Sequence, residues 1–445
     1  MFQYKKIICF LGVLVCFAIT GAGEVHFRKG DRIGLFGDSI TQGGSYAAYL
    51  QMFLAGTDVQ IINIGLSGDT SSAGVRRIPT LLKHVDMNVV CYMLGVNDVK
   101  PKFFKTPEMD DAKKAVFDNF RKSASKSIEL YQQNGKRVMI STPCAYNQYS
   151  EAHTWNVPYK DSVGVTGISA ISRELAAKYK IPFFDIQTPT RELFQKFPKV
   201  KFAPDRLHPE RFVHVIIAAN LARQWGLSPD IGDVRITGNS AVVKAGKVEN
   251  LKRGNNTVSF DYTPARLPIG SCNDVEEARK YYDLDTLINR ETLSVTDLPA
   301  GEYDLFADGE KLGRFSAEQL KKGIKLTSLA TPHQKRADEN MKMQKEIEDT
   351  MRYYSINYRF RFIVECYAKK NYDDAEQRRA YMKKWCENGQ KDRRLARNFR
   401  SVYEQFLKHI DGREKEIVTR SRILAERLHN ASRPSVCRML LKPVK

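Results

Sequence analysis

Short apolar runs alternate with longer helical patterns between residues 32 and 225. This alternation predicts a parallel sheet wrapped by helices, because each parallel strand needs a crossover connection to reach its neighbour. Ligands in such sheets bind beyond the carboxyl ends of the strands, so the residues after each apolar run are candidates for a functional site. The predicted strands are 33–36, 59–64, 89–94, 138–141 and 182–186, and the predicted helices are 46–54, 75–82, 111–133, 165–179 and 211–224.

The first predicted strand ends on a serine, in the run Gly37-Asp38-Ser39. A serine at such a point can act as a nucleophile in acyl transfer. That chemistry also needs a base, a group that orients the base, and hydrogen-bond donors for the oxyanion that develops. Three further runs of the sequence offer these groups.

Two of the runs offer donors for an oxyanion. Gly65 follows the second predicted strand, and a glycine there lets the backbone approach a substrate closely and present its N–H. Asn97 follows the third strand, and its neutral side-chain amide carries two donors. Either residue alone is also typical of an ordinary turn.

The last run places Asp205 and His208 three residues apart on a turn bracketed by prolines. The carboxylate can accept from one ring nitrogen while the other nitrogen faces the nucleophile, which fixes the tautomer and stabilises the imidazolium. Asp185, at the end of the fifth predicted strand, is the rival partner for His208. His214 is predicted to have a structural role.

The four runs resemble, in the same order, the conserved blocks of the SGNH subgroup of GDSL-type esterases and lipases. Ser39 matches the nucleophile of Gly-Asp-Ser-Ile, Gly65 the glycine of Asn-x-Gly-x-x-Gly, and Asn97 the asparagine of Gly-x-Asn-Asp. Asp205 and His208 match the acid and the base of Asp-x-x-His-Pro. The resemblance implies a flavodoxin-like three-layer α/β/α domain and a Ser-His-Asp triad. It also implies an oxyanion hole made by Ser39, Gly65 and Asn97, with no metal and no organic cofactor.

Arg206 departs from the family pattern, since many members carry a glycine at this position. We expect the arginine to alter the wall of the pocket, where it could narrow access or attract a carboxylated substrate.

The first residues predict a signal peptide. Lys5 and Lys6 precede an apolar run at 7–19 and the small residues Thr20-Gly-Ala-Gly23, a pattern typical of secretory signals. Residues 1–22 are therefore predicted to direct the protein to an extracytoplasmic location, periplasmic or secreted. A single membrane anchor is the alternative, but the run is shorter than the ~20 residues that span a bilayer. No second run is long enough, so no transmembrane segment is expected after cleavage.

Three regions follow the predicted signal peptide: a hydrolase domain at 24–230, a small β-rich module at 231–330, and a basic helical region at 331–445. The module is indicated by period-two alternation at Val258, Phe260 and Tyr262 and by the hairpin turn Asp308-Gly309. An apolar stripe at helical spacing indicates the last region: Met343, Ile347, Met351, Tyr354 and Tyr358.

The chain carries a net charge of +20, with a dense basic stretch between Arg378 and Arg400. This stretch predicts either a solvated helix face or a surface that contacts a polyanionic glycan or an envelope component. No nucleic-acid-binding motif accompanies the charge. The cysteines show no Cys-x-x-Cys spacing and so do not favour a metal or redox site, and pairing among Cys366, Cys386 and Cys437 stays open.

Together these features predict an exported serine esterase that removes acetyl or similar small acyl groups from a carbohydrate or polysaccharide. The sequence has no long apolar segment that could form a lipase lid. The alternatives are a lipase or phospholipase of the same family, a cell-envelope glycan deacylase, and a glycan-binding protein with a vestigial hydrolase domain. The five intact candidate positions argue against the vestigial domain.

Overall fold

The computed structural model describes residues 25–152, 155–254, 256–368, 374–387 and 393–444, without the side chains of 367–368 and 393–399. The predicted signal peptide lies outside these residues. So do Lys391 of the predicted basic stretch and the side chains of Arg393, Arg394 and Arg397. Across the described part of the chain, every helix is too short or too polar to cross a membrane.

Five parallel strands form the central sheet of the first domain, in the order β2-β1-β3-β4-β5. This is the flavodoxin-like strand order, and it confirms the predicted fold class. The strands are β1 (Arg32–Gly37), β2 (Gln60–Asn63), β3 (Val89–Met93), β4 (Arg137–Ser141) and β5 (Phe183–Phe184). The helices are α1 (Ser39–Gln42), α2 (Ser45–Phe53), α3 (Ser71–His84), α4 (Asp111–Gln133), α5 (Thr166–Tyr179), α6 (Gln187–Lys196) and α7 (Arg211–Gln224).

Helices cover both faces of this sheet, so its central strands are apolar on both sides. In β3, Val89 and Cys91 point into the core shared with α2 and α7. Val90 and Tyr92 point into the core shared with α3, α4 and α5. This arrangement gives the three layers and explains why β3 reads as a continuous apolar run.

Helices α4 and α7 have the predicted bounds, whereas α3 begins earlier than predicted, at Ser71. Its start is set by Thr70, whose hydroxyl accepts from the Ala73 N–H at 3.3 Å. Helix α6 was not predicted. It is short, and Pro189 lies in its first turn, where the missing N–H does no harm.

The module that follows has two sheets, in the orders β13-β10-β6-β7 and β12-β11-β14-β9-β8, and residues from both sheets share one core. Its helices are α8 (Asn273–Arg279), α9 (Leu284–Ile288) and α10 (Ala317–Lys322). Its strands are β6 (Asp230–Thr237), β7 (Ser240–Ala245), β8 (Lys247–Gly254), β9 (Thr257–Thr263), β10 (Arg290–Val295), β11 (Glu302–Ala307), β12 (Glu310–Ser316), β13 (Ile324–Lys325) and β14 (Cys437–Pro443).

Strand β14 comes from the end of the chain and lies between β9 and β11, antiparallel to both. The predicted boundary at 330/331 stays a prediction, but the region beyond it supplies a central strand to the module. That region is otherwise helical, as predicted. Its helices are α11 (Pro332–Met341), α12 (Gln344–Ala368), α13 (Ala375–Glu387), α14 (Arg393–His409) and α15 (Glu414–Ala431).

Helix α12 packs against the hydrolase domain at α2, α3 and the edge strand β2. Ile347 and Met351 join one core of that domain, and Tyr354 and Tyr358 join the other. The predicted apolar stripe is therefore buried against the sheet's open edge, where a helix also protects unpaired backbone groups.

All six cysteines within the described residues are free. Cys366 and Cys386 lie on α12 and α13, and Cys437 lies on β14. The pairing that the sequence left open is therefore not made in this structure.

Removing β14 should unfold the module. Truncation after Arg433 deletes Cys437, Met439 and Leu441, whose side chains lie in the module's core. Burial of three such side chains contributes roughly 5 kcal/mol, and the truncation also leaves β9 and β11 with unpaired edges. Thermal unfolding and limited proteolysis should show a lower melting temperature and new cleavage within 231–330. Truncation after Pro443 is the control, and equal melting of the two truncated chains would contradict the central position of β14.

Candidate active site

Ser39 lies at the carboxyl end of β1, at the first position of α1. The turn is held by Asp38, whose carboxylate accepts from the Ile40 N–H at 3.0 Å. A Cβ atom on Gly37 would lie 2.0 Å from the Thr41 hydroxyl, so only glycine fits before the turn. Burial raises the pKa of Asp38 to about 7, although the bond from Ile40 favours its charged form.

Ser39, His208 and Asp205 form a continuous chain of hydrogen bonds. Ser39 Oγ lies 2.8 Å from His208 Nε2, and His208 Nδ1 lies 2.6 Å from Asp205 Oδ2. The other carboxylate oxygen accepts from the backbone N–H groups of Leu207 at 3.0 Å and His208 at 2.8 Å. Burial would raise the pKa of Asp205, but these bonds lower it below its usual range, so the carboxylate stays ionised.

The rival carboxylate has other partners. Asp185 accepts from the Thr188 N–H at 3.0 Å and the Thr188 hydroxyl at 2.7 Å, within the first turn of α6. His214 is buried and stacks on Tyr46, with the two rings tilted by 7°. Burial lowers the pKa of His214 to about 4, so this imidazole is neutral at ordinary pH.

Gly65 lies against the end of α1, the short helix that Ser39 begins. A Cβ atom there would lie 2.4 Å from the Gln42 nitrogen, so the position requires glycine. The Gly65 N–H donates to Asn63 Oδ1 at 3.0 Å. Asn97 lies on the loop after β3, and its Nδ2 donates to the Asp69 carbonyl oxygen at 2.9 Å. Both predicted donors are thus oriented by bonds within the protein.

Arg77, on α3, is a residue that the sequence analysis missed. Its guanidinium is fully buried and stacks on the Phe36 ring, 3.9 Å from the ring centre. It donates to Asp69 Oδ2 at 2.6 Å, to the Ile64 carbonyl at 2.6 Å and to the Gly37 carbonyl at 3.0 Å.

Two of these acceptors are backbone carbonyls next to the candidate site, and the third is the Asp69 carboxylate. The Ile64 carbonyl shares its peptide unit with the Gly65 N–H, so Arg77 fixes the direction of that donor. Asp69 is the residue whose carbonyl orients Asn97. The only sequence signal was an arginine eight residues after an aspartate, which is too common to be informative.

Helix α12 also contacts this backbone. The Ser355 hydroxyl donates to the Gly65 carbonyl at 2.7 Å, and the Tyr358 hydroxyl donates to the Arg77 carbonyl at 3.0 Å. Both bonds are buried. The C-terminal region therefore holds the loop that carries Gly65.

A second contact from α12 reaches the histidine loop. Glu348 accepts from both terminal nitrogens of Arg211 at 2.8 and 2.9 Å and from the Ser45 hydroxyl at 3.2 Å. Arg211 begins α7, three residues after His208, and it also donates to Asp274 of the module at 2.9 Å. One arginine thus connects all three regions of the chain beside the site.

Arg206 has a φ of +64°, a left-handed conformation that favours glycine and explains the glycine of the family pattern. Its side chain is only 2% exposed. The guanidinium donates to the carbonyls of Asn147, at 2.8 Å, and Trp155. Arg206 therefore joins the segments of Asn147 and Trp155 beside Asp205. Its role in a pocket wall stays a prediction, and its contacts do not favour the expectation that it attracts a carboxylated substrate.

No cluster of three or more His, Cys, Asp or Glu side chains with the geometry of a metal site occurs in the described part of the chain.

Residues 35–214 match the family model of the GDSL-like lipase/acylhydrolases, in agreement with the geometry around Ser39. This domain belongs to the GDSL-like lipase/acylhydrolase family. No curated protein sequence matches the chain.

Solved structures extend the fold comparison beyond this domain. A gut microbial diltiazem-metabolizing enzyme, BT4096, is similar over 95% of this chain and 99% of its own, with 21% identity and a TM-score of 0.81. The module and the helical region thus share its fold as well. The acetylxylan esterase Axe2 from Geobacillus stearothermophilus covers 46% of this chain and 98% of its own, with 21% identity and a TM-score of 0.37.

Replacing Arg77 should destabilise the protein strongly. Arg77→Met leaves the buried Asp69 carboxylate without its partner, and loss of one member of a buried pair costs about 3–5 kcal/mol. Arg121→Met is the control, because its ion pairs with Asp118 and Glu174 are largely exposed and exposed pairs contribute about 0–1 kcal/mol. Urea unfolding measures both, and equal losses would contradict the role given to Arg77.

Proposed function

We propose that the protein is a serine esterase that hydrolyses acetyl or similar small acyl esters on carbohydrates. The observation that carries this proposal is the hydrogen-bonded chain Ser39–His208–Asp205, at 2.8 and 2.6 Å, within a GDSL-like acylhydrolase domain. Acyl transfer needs a nucleophile within reach of a base that a third group orients, and this chain supplies all three.

In the proposed reaction, His208 Nε2 accepts the Ser39 proton while Ser39 Oγ attacks the ester carbonyl. Asp205 holds the imidazole in place and stabilises its protonated form. The leaving alcohol then takes the proton from His208, and a water molecule activated by the same base releases the acyl group from Ser39.

The oxyanion would be held by the N–H groups of Ser39 and Gly65 and by the Asn97 amide. The Gly65 N–H donates to a neutral oxygen of Asn63 in the free protein. A charged oxyanion would displace that acceptor, because hydrogen bonds to charged groups are about twice as strong as neutral ones. Arg77 and Ser355 hold the surrounding peptide units, so little reorganisation is needed.

The carbohydrate part of the proposal is supported by the rim of the site. Trp155 is 58% exposed, and its carbonyl is held by Arg206, next to Asp205. An exposed indole beside polar groups offers an apolar surface to a sugar ring together with hydrogen bonding nearby. The predicted export of the protein agrees with a polymeric substrate outside the cytoplasm.

A series of nitrophenyl esters of rising chain length tests the acyl specificity. The proposal expects kcat/KM to fall sharply beyond two to four carbons, and acetate to be released from acetylated plant, algal or bacterial glycans. Higher activity on long acyl chains, with no acetate release from any glycan, would identify a lipase instead.

Replacing the candidate oxyanion donor and replacing the candidate nucleophile should lower kcat by different amounts. Asn97→Ala removes one oxyanion donor and should lower kcat by about 10²- to 10³-fold. Ser39→Ala removes the nucleophile and should lower kcat by roughly 10⁶-fold. Ser401→Ala, an exposed serine on α14, is the control and should keep the wild-type rate. Full esterase activity in Ser39→Ala would overturn the assignment of the nucleophile.

A further inference from the structure

Lys160 is a buried lysine beside the candidate triad. The residue is 5% exposed, and it begins a π-helical turn, Lys160–Val165, that leads into α5. Its Nζ lies 5.3 Å from the centre of the Tyr146 ring. Among the described residues, none is in hydrogen-bond or ion-pair contact with this ammonium.

Two carboxylates of the candidate site interact electrostatically with this ammonium. Burial lowers the pKa of Lys160 to about 8, while the negative charges of Asp38 and Asp205 partly oppose the shift. Asp38 precedes Ser39, and Asp205 is bound to His208. The charge of this ammonium is therefore coupled to carboxylates beside the nucleophile and beside the base.

The segment that contacts Lys160 contains Tyr146 and Asn147, and it is hydrogen-bonded to the loop that carries Asp205 and His208. The Tyr146 N–H donates to Asp161 at 3.0 Å. The next residue, Asn147, donates its N–H to the Arg206 carbonyl at 2.8 Å and accepts from the Arg206 side chain. The segment that supports Lys160 therefore packs directly against the residue after Asp205.

A second buried lysine shows how this fold satisfies such a group. Lys113 is fully buried, and its Nζ donates to the Glu108 carbonyl at 2.6 Å, to Asp110 at 2.9 Å and to Thr106 at 3.4 Å. Lys160 has no comparable set of partners. A buried charge without a partner is costly, and such groups concentrate at sites where a ligand completes them.

An unpaired amide lies at the same corner of the domain. Asn147 is 1% exposed, and both polar atoms of its side chain are without a hydrogen-bond partner. Buried polar atoms in proteins are nearly always hydrogen-bonded, to protein, water or ligand. One unsatisfied polar side chain, Asn147, and the buried Lys160 therefore lie next to the loop of Asp205 and His208.

We propose that Lys160 binds a carboxylate of the substrate, so that the protein acts on acylated acidic sugars such as uronic acids. The inference rests on the proposed esterase function. Two other cations at this corner already have partners. The Arg206 guanidinium donates to two backbone carbonyls, and Arg191 donates to Asp161 at 2.6 Å. The net charge of +20 further favours the approach of an anionic substrate.

Matched sugar esters test the proposal. Monoacetates of methyl glucuronide and of methyl glucoside, acetylated at O2, O3 or O4, differ only in the carboxylate. The wild-type protein should show a higher kcat/KM for a glucuronide ester than for the matching glucoside ester. Lys160→Met should lower that ratio by about tenfold or more, the worth of one hydrogen bond to a charged group.

Lys178→Met is the matched control. Lys178 is an exposed lysine on α5 whose Nζ also lies over an aromatic ring, 4.9 Å from the centre of Tyr179. Its replacement removes the same charge and should keep the wild-type ratio. An unchanged ratio in Lys160→Met would overturn the proposal, because a purely structural role would lower kcat/KM for both esters alike.

The wild-type protein gives a second measurement that needs no variant. Since the pKa of Lys160 is about 8, the glucuronide preference should fall as the pH rises from 7 to 9.5. Asp38, with a pKa of about 7, adds negative charge over the lower part of this range and acts in the same direction. A preference that does not change with pH would overturn the proposal.

Binding separates this inference from the proposed function. Calorimetry with Ser39→Ala should detect tighter binding of methyl glucuronide than of methyl glucoside, independently of turnover. Hydrolysis of both sugar esters at equal rates by the wild-type protein would overturn the carboxylate site alone. Absence of hydrolysis of every ester would overturn the esterase function, and equal binding of the two sugars would overturn the site.

Discussion

The candidate site depends on the hydrogen bonds and the ion pair that the buried guanidinium of Arg77 makes. This guanidinium holds the ends of β1 and β2 through the Gly37 and Ile64 carbonyls and neutralises Asp69 in the adjoining loop. A planar group with several donors suits this task, because it can fix three acceptors at once in one geometry. Ser39 and Gly65 follow closely on the two carbonyls that this cation binds, and the Asn97 amide is bound to the carbonyl of Asp69.

The regions beyond the hydrolase domain take part in the same construction. Helix α12 binds the Gly65 carbonyl through Ser355 and the start of α7 through Glu348. Asp274 of the module shares Arg211 with Glu348. In the described structure, the C-terminal half of the chain therefore stabilises the loops of the site. Its basic surface takes no part in these contacts.

The ionisable groups around the site have different pKa shifts, which depend on how deeply each group is buried. Asp205 is half-exposed and well supplied with donors, which keeps its pKa below the usual range. Asp38 is buried with one backbone donor, and its pKa rises to about 7. Lys160 is buried without a donor–acceptor partner of its own, which lowers its pKa to about 8. The same loop cluster thus contains a permanently charged carboxylate and two groups that titrate near neutral pH.

Local patterns in the sequence predicted much of this protein. Apolar runs and helical spacing predict the parallel sheet and helices α4 and α7. A strand that is buried on both faces is apolar at successive positions, and a helix that is buried on one face is apolar at helical spacing. The family motifs pointed to Ser39, Gly65 and Asn97 after strand ends and to Asp205 and His208 on the loop before α7, although their catalytic roles stay predictions. Helix α6 was missed because a proline in its first turn and its short length hide the pattern.

Tertiary structure alone decided the contacts between distant segments. Ser355 and Gly65 are 290 residues apart, and β14 joins the module from the far end of the chain. The importance of Arg77 and the unpaired state of Lys160 follow from which groups the fold brings within about 3 Å of a side chain. The sequence by itself determined the fold of the hydrolase domain and its candidate nucleophile. Only the folded chain decided what supports the site and which charge it leaves open for a ligand, because hydrogen bonds and ion pairs act at contact distance and not along the sequence.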